Sequence, residues 1–112
     1  MEIYCRQKEL LEQSIKHART LEIDDKQAVL TIKTLPPQFS QMGLIEYPRH
    51  LDDIPYITIY IKNNNEKYIT LAHEMVHLYQ MTWAKDPYAN HNANFFAWRT
   101  KFKLAGLDLS RC

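Results

Sequence analysis

No charge of one sign predominates in this chain. Fourteen Lys and Arg face thirteen Asp and Glu, a formal net charge of +1. Composition therefore makes no general case for nucleic-acid binding. No apolar run approaches the roughly 20 residues that a membrane-spanning helix needs. The start, Met1-Glu2-Ile3-Tyr4-Cys5-Arg6, lacks the basic-then-apolar build of a secretory signal. Cysteine is scarce: Cys5 and Cys112 stand at opposite ends. Without a Cys-x-x-Cys pair there is no zinc ribbon within this sequence. We read the two thiols as free, in a reducing cytoplasmic compartment, in preference to a disulfide. Repeats, low-complexity tracts and any sign of a second domain are also lacking. What remains is 112 residues, 46% of them hydrophobic, enough for one small domain (1–112) around one core.

The stretch that stands out is Thr70-Leu71-Ala72-His73-Glu74-Met75-Val76-His77-Leu78, which contains His-Glu-x-x-His. Residues four apart share one face of a helix. His73 and His77 can then aim their imidazoles at one metal ion. Glu74 projects about a hundred degrees round the helix from His73, which suits a base beside the metal better than a ligand on it. A buried helix with two hydrogen-bonded histidines would also fit the bare motif.

The rest of the chain reads as α+β. Apolar spacing over residues 2–21 predicts an amphipathic N-terminal helix, with His17 on its surface. A small sheet of about three strands follows: 27–35, ended by Pro36-Pro37; 42–47, with Gly43 permitting a bend or a close approach; and 54–62. In the last, Ile57, Ile59 and Ile61 point one way, toward the motif helix, and Tyr56, Thr58 and Tyr60 the other. Residues 49–53 read as loop. Asn63 with Glu66 resembles a capping box for a motif helix reaching about residue 83. That helix is apolar on most sides and so buried. A last helix begins at His91, capped by Asn90 or Asn92. Phe95, Phe96, Trp98, Phe102 and Leu104 form its apolar stripe, and Gly106 closes it.

Catalytic zinc usually has three protein ligands and one open position. Downstream of the motif the candidates for a third ligand are His91 and Asp86. Thirteen residues separate His91 from His77, room for the chain to leave, turn and return. We favour His91; His50, in a loop before the motif, is a weaker candidate.

With these residues in view, the sequence resembles the SprT-like, Spartan-related family of zinc metallopeptidases. Residues 68–77 are similar to the family's Thr-Leu-x-His-Glu-x-x-His segment, His91-Asn92-Ala93-Asn94-Phe95 to its His-Gly-x-x-Phe segment, and Ala105-Gly106-Leu107 to its closing Gly-aliphatic pair. The likeness covers residues 54–109. It implies a zincin-like fold, Zn2+ on His73, His77 and His91, and Glu74 as general base. Asn92 departs from the family's usual Gly, and Asn tolerates the left-handed backbone better than most residues. The zinc ribbon of many members and Spartan's DNA-binding additions are absent, so a role in DNA–protein crosslink repair is not carried over. The chain looks like a minimal catalytic core of a phage or bacterial kind.

The expected activity is hydrolysis of a protein or peptide substrate, bound extended along a sheet edge, either 54–62 or the strand before it. Tyr47, Tyr79 and Tyr88 are open candidates for a further oxyanion donor. Two alternatives stand beside this. One is a non-catalytic module stapled by zinc. The other is a module associated with DNA through Arg99, Lys101 and Lys103, a cluster that reads more simply as a solvated helix face.

Overall fold

A computed structural model describes residues 1–109. It is α+β: three helices and a mixed five-stranded sheet. The elements are β1 (Glu2–Cys5), α1 (Lys8–Thr20), β2 (Val29–Thr34), β3 (Gly43–Ile45), β4 (Arg49–Leu51), β5 (Ile54–Ile61), α2 (Lys67–Thr82) and α3 (Ala93–Leu104). The sheet runs β1-β2-β5-β3, with β4 also on β5. Cys112 falls outside the described residues, and with it any pairing to Cys5.

The sheet is larger than its sequence suggests because two short strands are hidden in it. Residues 2–5 do not belong to α1. Ile3 and Cys5 alternate with exposed Glu2 and Tyr4, a period of two, and the segment pairs parallel with β2. The helix starts only at Lys8. Its buried face is Leu10, Ser14, His17 and Ala18, one stripe at helical spacing. His17 is therefore not a surface residue. It is 4% exposed, its Nε2 lies 3.2 Å from the Tyr68 carbonyl oxygen, and its ring meets Phe102 edge-on at 5.5 Å.

Residues 49–53 are not loop either. Asp52 and Asp53 have φ of 54° and 64°, both left-handed, and link β4 to β5 in a two-residue hairpin turn of the primed kind. Gly43, Leu44 and Ile45 oppose Ile61, Tyr60 and Ile59, whereas Arg49, His50 and Leu51 oppose Tyr56, Pro55 and Ile54. The register slips by one residue between these sets. Tyr47-Pro48 thus form a bulge, placed where proline has no N–H to give the ladder. As a result β5 is paired on both sides and is not an edge. The edge beside it is β3.

Ile57, Ile59 and Ile61 are all buried beneath the helices, and α2 packs on β5, β3, α1 and α3. Leu71, Met75 and Leu78 of α2 are fully buried, each contributing about 1.5–3 kcal/mol of apolar transfer. Helix α2 begins later than Asn63. Asn64 Oδ1 accepts the Glu66 N–H in a local turn, and the helix starts at Lys67 with no side-chain cap. In α3 the buried stripe is narrower than its aromatic content suggests: Phe95 and Phe102 are buried, while Phe96 and Leu104 face solvent. Gly106, at φ 93°, closes α3, with its N–H on Lys103 and the Leu107 N–H on Phe102, a Schellman arrangement. Among the described residues no helix is long and apolar enough to cross a membrane.

Candidate metal centre

His73 and His77 stand on one face of α2, a turn apart. The chain leaves α2 at Trp83, turns through residues 84–90 and returns to place His91 opposite them. His91 precedes α3, which begins at Ala93, so its backbone is not enclosed by a helical turn. Asn92 is the cap: its Oδ1 accepts the Phe95 N–H at 3.1 Å.

The three imidazoles converge. His77 Nε2 lies 3.1 Å from His73 Nε2 and 3.1 Å from His91 Nε2. Two nitrogens bound to one tetrahedral zinc-sized ion at about 2.0–2.1 Å stand about 3.3 Å apart. The spacing matches. Phe95, 1% exposed, holds the rings from below, its centroid 4.9, 4.8 and 4.6 Å from those of His73, His77 and His91. Burial lowers the pKa of His73 to about 4, helped by the neighbouring His77 and His91. Burial lowers His77 too. At neutral pH these two rings are uncharged and offer lone pairs. The three histidines lie close enough to hold a metal ion.

Glu74 lies one position along from His73, on the side of α2 that faces β3. It is 7% exposed, with no hydrogen bond or ion pair to another described residue, and burial raises its pKa to about 7. Gly43 of β3 makes room for it. A Cβ at position 43 would stand 3.2 Å from Glu74 Cγ and 2.6 Å from Thr70 Cγ2. The close approach expected of Gly43 is thus to the helix that carries the motif.

The other candidates are placed elsewhere. His50 is exposed on β4 and does not join the cluster. Asp86 faces Gln80 and Asn92, not the three imidazoles: its Oδ2 accepts from Asn92 Nδ2 at 2.6 Å and Gln80 Nε2 at 3.2 Å. Tyr47 and Tyr88 are exposed, and Tyr79 packs edge-on against Trp98. Lys101 lies over Trp98 and 3.9 Å from Glu22. Gln80 was not singled out from the sequence. Its amide reaches both His77 Nδ1 and the 86–92 segment. The signal was a polar residue one turn past His77 on a helix whose faces are nearly all buried.

Fold and site together define a small α+β protein with a three-imidazole centre fit for a cation. No family model, curated protein or solved structure matches the chain.

Proposed function

We propose that the protein is a zinc-dependent metallopeptidase, a minimal catalytic core of the SprT-like, Spartan-related kind. The observation that carries this reading is the convergence of three Nε2 atoms, two of them on the helix that also carries Glu74, a buried carboxyl with no partner among the described residues. Nitrogen ligands in a tetrahedral-sized set suit zinc. His73, His77 and His91 would hold it, and when bound it supplies Lewis acidity and a water of lowered pKa.

The chain's own residues supply the rest. Glu74, with a pKa near neutrality, accepts the proton of the attacking water and returns it to the leaving amine. Phe95 keeps bulk water from the inner side of the imidazoles. Among the described residues strand β3 pairs with β5 on one side only, so an extended peptide can add to its other side with main-chain hydrogen bonds. Gly43 lets that strand sit close over Glu74. Against a purely structural zinc site, only three metal-ligating side chains converge among the described residues, where closed sites use four.

The test is Glu74→Gln. Zinc uptake should persist, while cleavage of an unfolded protein such as casein falls by about 10²–10⁴-fold. Undiminished cleavage would remove Glu74 from the mechanism.

A further inference from the structure

We propose that Gln80 is a positioning residue whose single amide presents the ligating nitrogen of His77 and latches the segment that carries His91. This rests on the metallopeptidase reading above. Gln80 is completely buried near the end of α2, three positions past His77. Its Nε2 is surrounded by acceptors alone: the Asn90 carbonyl at 3.0 Å, Asp86 Oδ2 at 3.2 Å and Asn92 Oδ1 at 3.3 Å.

A rotated amide would press its carbonyl oxygen against those three oxygens. The orientation is therefore dictated, and Gln80 Oε1 points at His77 Nδ1, 2.8 Å away. That nitrogen must carry the proton. A neutral imidazole has one N–H, so His77 Nε2 is left as a lone pair, aimed at the shared centre with His73 and His91.

The other end of the amide acts on the backbone. Asn90 and Asn92 flank His91, and both are tied to Gln80. Asn92 is in turn tied to Asp86 and to the start of α3. The segment also contains Lys85 and Ala89 at φ of 55° and 48°, left-handed conformations that a non-glycine residue holds only under constraint. The latch supplies that constraint. One side chain thus couples the tautomer of the second ligand to the location of the third, and the site is assembled before a cation arrives.

The experiment is long-range ¹H–¹⁵N correlation of the histidine rings in the metal-free chain, with zinc affinity from chelator competition on the same samples. Wild type should show His77 as the Nδ1–H form. Gln80→Met, similar in volume, should move His77 to the Nε2–H form and weaken zinc by about 10–100-fold. Gln80→Glu keeps an oxygen on His77 Nδ1 but turns its second oxygen on the three acceptors of the 86–92 segment, so it should keep the Nδ1–H form and still weaken zinc. An Nε2–H ring in wild type, which needs no variant to fold, overturns the proposal. So does a Gln80→Met protein with wild-type zinc affinity. If wild type shows the Nδ1–H form yet takes up no zinc, the peptidase reading has failed and the proposal falls with it; the ring assignment shows which link broke.

Discussion

His17 and His73 are both largely buried imidazoles, and their surroundings separate their roles. His17 meets a carbonyl oxygen and a phenyl edge, and nothing near it calls for a cation. Burial lowers its pKa from 6.5 to about 4. The folded state thus binds fewer protons than the unfolded state between those values. The associated stability is complete above about pH 6.5 and is lost as the pH falls toward 4. The loss is about 3 kcal/mol. Urea unfolding at pH 7 and pH 4.5 should show a smaller acid loss for His17→Gln than for wild type; equal losses would contradict the burial. His17 lies seven positions after Leu10 and three after Ser14, on the stripe that α1 buries. The surface reading failed because it followed the polarity of the imidazole and not its position on the helix. His73 and His77 were legible because helix geometry fixes the spacing at which two imidazoles meet on one face; His91 was legible through its place after a connection long enough to return. Gln80 was not, because its role depends on where residues 86–92 return.

Strand β3 and helix α2 form the element pair on which the site depends. Their approach is set by Gly43. Alanine there would bring its Cβ within 2.6 Å of Thr70 Cγ2, so that Thr70 must change rotamer, of which a helix allows it two, or β3 must move away. Gly43→Ala should cost about 1–3 kcal/mol in urea unfolding. Thr70→Ser removes the obstructing methyl, so the double variant should be less destabilised than the two single costs summed. Strict additivity would mean that β3 does not sit where the structure puts it. Such a strand is hard to read in advance. The 42–47 segment was visible through its apolar content and its bounding proline. The hairpin with β4 was not, because Asp52-Asp53 form a primed turn without the glycine that usually announces one.

At the scale of the whole molecule, the α+β class followed from periodicity, and the central isoleucine strand was read correctly down to its buried face. The sheet order was out of reach. β1 is four residues long, and β1 with β2 forms a parallel pair across α1, a long-range contact that local spacing does not report. The same arithmetic explains why the site was more legible than the sheet around it. Two of its imidazoles share one helix, and only His91 depends on tertiary return. The account as a whole depends on that return producing an open site. X-ray absorption at the zinc edge, on the purified chain loaded with one equivalent, tests this most directly. The account predicts three imidazole nitrogens and one light, non-protein donor at about 2.0–2.1 Å. A sulfur neighbour, a fourth protein nitrogen or fewer than three imidazoles would contradict it.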